Sequence, residues 1–379
     1  MKPRVLLVGR TRYRLPLNGG LRRKFDALLD RMELRVVGSA PAGAPTEDTM
    51  FRLARPVRPG ILDGIAFHLA LPFRVARELR RFRPDVVLVQ GAHEAAGVLL
   101  ARALVRSGTR VALDVHGDWR TATRLYGSGA RRLLNPLADR VAAIAVRRAD
   151  AIRTVSPYTT EVVRGAGSTP TAVFPAFMDL EPFLERPPVP LPHEPAALFV
   201  GVLELYKNID GLAAAWRLAA PRVPEAELRI VGRGSRVRIA KRLLRDLPEQ
   251  TRWWPELSPE ELAAELDRAT ILVLPSRREG MGRVVVEALC RGRPVLGSAT
   301  GGIPDLVRDG ENGILVNPDD TDGLADALVR LLSDRALVER LAAGARASVD
   351  RYLVTPEQYA ESVADLVSAS QAARPRRLH

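Results

Sequence analysis

"ILVLPSRREGMGRVVVEALCRGRPVLGS", Ile271 to Ser298, decides the fold. It opens on a wholly apolar, β-branched run, Ile271–Leu274, of the kind that forms a strand buried on both faces of a parallel sheet. A polar stretch containing two glycines follows, and the spacing then predicts a helix from about Gly282 through Arg291. Pro294–Gly297 reads as a second strand. A strand, a helix and a strand in direct succession form a βαβ unit, which requires a parallel sheet covered by helices.

The same alternation extends in both directions. Upstream, strands are predicted at Arg4–Val8, Leu34–Val37, Val86–Val89, Val111–Val115 and Ala151–Val155, and then at Ala197–Val200 and Leu228–Val231. Downstream, Gly313–Val316 completes the second series. Between the series lies "ERPPVPLPHEP", Glu185–Pro195, whose five prolines can continue neither a helix nor a central strand. The expected fold class is therefore α/β, with two Rossmann-like, doubly wound parallel-sheet domains. The first covers residues 1–185, a proline-rich linker 186–195, and the second 196–350. Residues 351–379 carry a last helix from Pro356 to about Ala373, which could pack back on the first domain, and the basic tail "RPRRLH". Ligands of such sheets bind beyond the carboxyl ends of the strands. Every motif below follows a predicted strand.

At 379 residues the chain is long enough for two domains with separate cores. Its 46% hydrophobic and 27% charged residues fit a soluble globular protein. The single cysteine, Cys290, rules out an intrachain disulfide framework and suits a reducing cytoplasm. The apolar run Val5–Val8 is too short for a signal-peptide core, and no stretch approaches the roughly 18 residues of a membrane span. A cytoplasmic protein is expected, with a peripheral place on the inner face of a membrane as an extension of that reading.

The formal charge of +13 is distributed unevenly. Residues 1–185 hold 30 Lys and Arg against 17 Asp and Glu, whereas the remainder holds 27 against 27, so the whole excess lies in the first half. Such a field favours an anionic partner: nucleic acid, anionic lipid or a phosphorylated substrate. Genome-wide arginine bias is the plain alternative, although bias alone should load both halves. In "PFRVARELRRFRP", Pro72–Pro84, Arg74, Arg77 and Arg81 share one helical face. That face fits either solvent or an anionic membrane surface.

Glu279 and Glu287 stand eight residues apart with Gly280, Met281 and Gly282 after the first. Eight residues of helix cover at most about 12 Å, comparable to a sugar diphosphate from hexose to ribose. Glu279 in the loop could accept from hexose hydroxyls, and Glu287 from a ribose diol. The amides between them, at a helix N-terminus, favour phosphate. The residues alone also allow Glu279 to be an ordinary loop residue and Glu287 a solvated one. Glu287, however, lies inside the otherwise apolar Val284–Leu289, where an unpaired carboxylate is costly.

"EGMGRVVVEALCRGRPVLGSATGGIPDLVRDGENGILV" resembles the donor-binding signature of the retaining GT-B glycosyltransferases, closest to glycosyltransferase family 4, the glycosyl transferases group 1. "FVGVLELYKNIDGL", "ADAIRTVSPYTTEVV" and "FPAFMDLEPF" resemble further segments of that family, so the likeness covers nearly the whole chain. The resemblance implies a GT-B fold, with an acceptor-binding first domain and a donor-binding second domain facing each other across a cleft. It implies transfer of a hexose from a UDP- or GDP-linked sugar to an acceptor it does not name, by front-face substitution without a metal or other cofactor; the basic first half separately suggests a lipid-linked or anionic acceptor. It gives Glu279 the donor hexose with the Met281 and Gly282 amides beside it, Glu287 the ribose, and Lys207 the leaving diphosphate. Lys207 is one of only four lysines among 57 basic residues, which marks it as a place where compact charge is used. His116 in "LDVHGDWR" is implied to touch the donor sugar, and "NGG", Asn18–Gly20, resembles the family's glycine-rich loop, with Gly20 approaching a substrate. No GxGxxG is present, which disfavours NAD.

Two positions depart from the family. Val202 stands where an arginine usually shares the diphosphate, leaving Arg233, Arg278 or Arg283 as substitutes, with Arg233 in "IVGRGS" preferred. Asp305 replaces a usual glutamate. A nucleotide-sugar epimerase or a sugar phosphorylase on the same fold is the competing enzyme class. A nucleic-acid-binding protein is disfavoured by 5% aromatics, dispersed arginines and the lack of zinc or helix-turn-helix spacing.

Overall fold

The computed structural model describes residues 2–57, 62–120 and 129–372, the side chains of 129–134 excepted. The tail "RPRRLH" lies outside them. The chain forms two compact units, one of residues up to Phe177 together with those from Val354 onward, the other Met178–Leu353.

The first unit contains β1 (Arg4–Arg12), α1 (Gly19–Arg31), β2 (Glu33–Ser39), β3 (Phe51–Ala54), α2 (Asp63–Arg81), β4 (Val86–Gln90) and α3 (Ala92–Leu104). It continues through β5 (Arg110–Val115), α4 (Gly129–Arg148), β6 (Ala151–Thr154), α5 (Pro157–Gly165) and β7 (Ala172–Val173). The second unit contains α6 (Glu181–Leu184), β8 (Ala196–Val200), a 3₁₀ turn at Leu205–Lys207, α7 (Ile209–Ala219), β9 (Glu227–Val231), α8 (Val237–Asp246), β10 (Thr251–Trp254) and α9 (Pro259–Asp267). It ends with β11 (Ile271–Leu274), α10 (Arg283–Cys290), β12 (Val295–Ser298), β13 (Gly313–Val316), α11 (Thr321–Ser333) and α12 (Arg335–Ala347). The last helix, α13 (Pro356–Ala372), belongs to the first unit.

Among the described residues the first sheet runs β3-β2-β1-β4-β5-β6-β7 and the second β10-β9-β8-β11-β12-β13, and every pairing in both is parallel. Both are doubly wound. The order reverses between β1 and β4 in one sheet and between β8 and β11 in the other, and these switch points are where such sheets open a crevice for ligands. The central strands are buried on both faces, as their unbroken apolar runs require.

The helices divide between the two faces of the first sheet. Phe67, Leu71, Val75 and Leu79 of α2 pack with α3 and α4 in one core. Phe25 and Leu28 of α1 share the other core with Tyr359, Val363 and Leu366 of α13.

Two expectations change. The division of the chain falls at Phe177, so the proline-rich stretch lies within the second unit instead of joining the two. Two buried arginines and an exposed one fasten it there. Arg291 donates to the carbonyls of Phe183, Arg186 and Pro187, Arg293 to those of Val189 and Pro190, and Arg335 to those of Leu191 and Pro192. Prolines leave a segment rich in unpaired carbonyls, and guanidinium groups are suited to collect them. The second change is in α2. Arg74 does not join Arg77 and Arg81 on an open face; it turns inward and donates to the carbonyls of Gly38 and Arg52, its pKa lowered by burial.

Candidate active site

The loops after β8 and β11, the strands flanking the second switch point, carry Lys207 and Glu279. Backbone bonds hold them together: the N–H groups of Arg277 and Arg278 both donate to the Tyr206 carbonyl. Arg277 reinforces the junction, donating to the Leu205 carbonyl at 3.3 Å and pairing with Asp210 at 3.3 Å and Asp319 at 3.2 Å. Asn208, in the left-handed region at φ 58°, caps α7 through Gly211 and donates to the Pro318 carbonyl. The outcome is a direct ion pair between Lys207 Nζ and Glu279 Oε2, with the side chains 12% and 14% exposed. The Tyr206 ring lies 5.5 Å from the same ammonium. A half-buried pair of this kind presents charge that water screens little.

Gly282, at φ 75°, turns the chain from this loop into α10 and supplies no capping side chain. The first-turn N–H groups of a helix have no partner within it, so this terminus carries partial positive charge beside Lys207. The loop is held from behind by the glycine pair after β12. Gly302 N–H donates to the Glu279 carbonyl at 3.0 Å, and a Cβ on Gly302 would collide with the Gly280 carbonyl oxygen. Only glycine permits this approach. Ser298 Oγ adds a 2.5 Å bond to the Ser276 carbonyl. Met281 is buried against the loop.

Glu287 lies in the second turn of α10, 8% exposed. Burial raises its pKa, and Arg283, 3.5 Å away and largely in solvent, offsets this only in part. The folded state therefore holds a proton on Glu287 more tightly than the unfolded chain does. Stability from this group is greatest below the ordinary 4.5 and declines as pH rises through the higher folded value. A Glu287→Gln protein is accordingly expected to melt a few degrees higher than the parent at neutral pH, and differential scanning calorimetry checks it. A carboxylate kept at such a cost is a candidate for binding a ligand.

In the first unit, His116 follows β5. Its Nε2 lies 2.8 Å from Asp114 Oδ2, and Asp114 Oδ1 accepts from Arg153 at 2.7 Å. Asp114 and Arg153 are both fully buried. Burial alone would raise the Asp114 pKa, but the His116 and Arg153 charges and their hydrogen bonds outweigh it and hold the carboxyl far below its usual range. Arg153 is completed by the Phe174 and Pro175 carbonyls and lies 4.1 Å from the Phe174 ring centroid. This chain orients the imidazole from beneath, leaving 42% of the side chain exposed. Asn18 caps α1 through Leu21 N–H, and Gly20 is buried in its first turn.

The structure pairs Lys207 with Glu279 and sets Gly282 beside the Glu279 side chain, with Glu287 further along α10. Arg283 joins them through Glu287. Arg233, the preferred substitute for the cation missing at Val202, has a side chain 68% exposed that pairs with Glu256 at 3.4 Å. Its carbonyl instead takes the Leu203 N–H at 2.8 Å, anchoring the loop that exposes Val202. Asp114 and Arg153 were missed, although an aspartate and an arginine inside two apolar strands were visible as buried charges. Among the described residues no group of three or more His, Cys, Asp or Glu is placed to hold a metal ion.

Two family models match consecutive stretches: glycosyltransferase family 4 over residues 24–182 and glycosyl transferases group 1 over residues 184–348. The chain belongs to the family 4 glycosyltransferases. A D-inositol 3-phosphate glycosyltransferase of Nocardioides sp. is 45% identical over 94 residues, 25% of this family 4 chain and 20% of that protein. The curated relatives are matched over only 20% to 40% of their length. A sucrose-phosphate synthase from Thermosynechococcus elongatus shares the fold, with TM-score 0.79 and 22% identity over 98% of this chain and 100% of that one. Anabaena HepE, solved in complex with UDP, superposes with TM-score 0.68 and 16% identity over 97% and 99%.

Proposed function

We propose that this family 4 chain transfers a hexosyl group from a nucleoside-diphosphate sugar to an acceptor hydroxyl, with retention of configuration. The observation that carries the reading is the Lys207–Glu279 ion pair at the second switch point, beside the bare N-terminus of α10 and the buried Glu287. The diphosphate would lie against the Lys207 ammonium and the first amides of α10, the ribose diol on Glu287 and the hexose on Glu279. UDP is the nucleotide to test first, because HepE binds it on a similar fold.

In the proposed step the acceptor oxygen bonds to the anomeric carbon as the bond from that carbon to the β-phosphate oxygen breaks. The electron pair goes to the phosphate, which also takes the acceptor proton. The chain's part is to stabilise the leaving charge with a fixed cation and oriented amides, so no side-chain base is assigned and no metal is called for. In the first unit the Asp114–Arg153 chain fixes the orientation of the His116 ring.

The test is turnover of UDP-, GDP- and ADP-hexoses by the purified chain against sugar, sugar phosphate and polyprenyl phosphate acceptors. Release of one nucleoside diphosphate with an axial glycoside in the product supports the reading. Sugar 1-phosphate formed only with inorganic phosphate would make it a phosphorylase. Conversion of the donor sugar without any acceptor would make it an epimerase.

A further inference from the structure

The outer surface of the α2–α3–α4 layer is apolar where a solvated helix layer should be polar. Leu69 and Phe73 of α2 are 69% and 73% exposed, Leu100 and Leu104 of α3 are 52% and 59%, and Leu137 and Ile144 of α4 are 62% and 43%. On each helix these residues recur at three- or four-residue intervals or their multiples, which puts them on one face, opposite the side chains in the core. The helices are direct neighbours: Leu71 of α2 lies over Gly97 of α3, and α3 packs along α4. Large apolar residues exposed singly are ordinary, but three parallel stripes in one layer are not.

Charge on the same layer is one-sided. Asp63 and Glu78 of α2 are buried, taken by Arg10, Arg12 and Arg35, while Glu94 of α3 and Asp139 of α4 are half-buried or less exposed. Arg77, Arg80, Arg140 and Arg148 are exposed. Outward, the described layer therefore presents apolar side chains, arginines and His68, with no exposed acidic group on its three helices. A second copy would bring like charge against like charge. No described helix is long and apolar enough to cross a membrane.

We propose that this face docks flat on an anionic lipid bilayer. The Leu69, Phe73, Leu100 and Leu137 side chains enter the boundary between headgroups and acyl chains, and the arginines reach lipid phosphates at the rim. The surface differs from the Arg74 face that the sequence singled out, because Arg74 serves the core. It rests on the first unit alone and stands or falls independently of the donor site.

The experiment is flotation of the full chain with phosphatidylcholine vesicles and with vesicles containing phosphatidylglycerol. A Leu69→Ser/Phe73→Ser protein and a Phe73→Trp protein are run alongside. Both sites are exposed, so melting temperature and nucleotide binding should be unchanged. Binding to the anionic vesicles is expected, reduced by at least about tenfold in the double-serine protein. Fluorescence of the Phe73→Trp protein is expected to shift to the blue and to be quenched by bromine-labelled acyl chains. Equal flotation of parent and double-serine protein, no flotation with either vesicle, or a parent dimer that the serines dissociate would each overturn the proposal.

Discussion

Lys207→Ala is expected to lower kcat/KM for the donor by about 10²–10³-fold, the size of effect seen when one preorganised group facing developing charge is removed. Two consequences combine. In the proposed step the leaving diphosphate loses its fixed cation, and Glu279, 14% exposed, loses its partner. Without the ammonium to fix it, that carboxylate is less well placed to accept from a hexose hydroxyl. The loss should fall mainly on kcat, because the charge on the leaving oxygen grows in the transition state. Lys207→Arg should recover little, since a planar fork cannot occupy the place of a compact ammonium between Glu279 and the Tyr206 ring. Adding Glu279→Gln to Lys207→Ala should restore melting temperature without restoring rate. Steady-state kinetics checks all three; a change below about threefold for Lys207→Ala would reduce the pair to a structural contact.

Arg153→Leu is expected to destabilise the first unit by about 3–5 kcal/mol, the cost of leaving one member of a buried ion pair unmatched. The substitution strands Asp114, 1% exposed, together with the Phe174 and Pro175 carbonyls. Asp114 should then regain an ordinary or higher affinity for protons, as burial dictates once Arg153 is gone. In the parent the depressed Asp114 value contributes stability that is complete above the ordinary 3.8 and is lost only as pH falls towards the folded value. Much of that contribution should disappear in the variant, which is expected to melt roughly 10 °C lower at neutral pH. Asp114→Asn tests the same chain from the other end and should also loosen His116. Calorimetry across pH checks both, and a shift under about 2 °C would mean that the pair is dispensable.

The sequence made the central strands legible because each is apolar along most of its length. Those it missed, β3, β7 and β10, all lie at sheet edges. "FRLA" of β3 alternates buried and half-buried residues, and β7 spans only Ala172–Val173. Edge strands bury less and so carry weaker patterns. The proline-rich stretch was legible as irregular, but its attachment to the second unit depends on Arg291, Arg293 and Arg335, more than a hundred positions away. The glutamate pair and Lys207 were found through spacing and resemblance, whereas the Lys207–Glu279 contact, 72 positions apart, needed the fold. Arg74 was misassigned because helical spacing shows which residues share a face and not which face meets the core. The apolar outer layer went unread for the same reason.

The most direct test of the donor site is isothermal titration of the intact chain with UDP, GDP and ADP, repeated on Glu287→Ala. One nucleoside diphosphate should bind the parent selectively and lose at least about tenfold in affinity when the Glu287 carboxylate is removed. Equal binding by parent and variant, or binding of no nucleotide by a folded parent, would contradict the placement of a nucleotide sugar on α10.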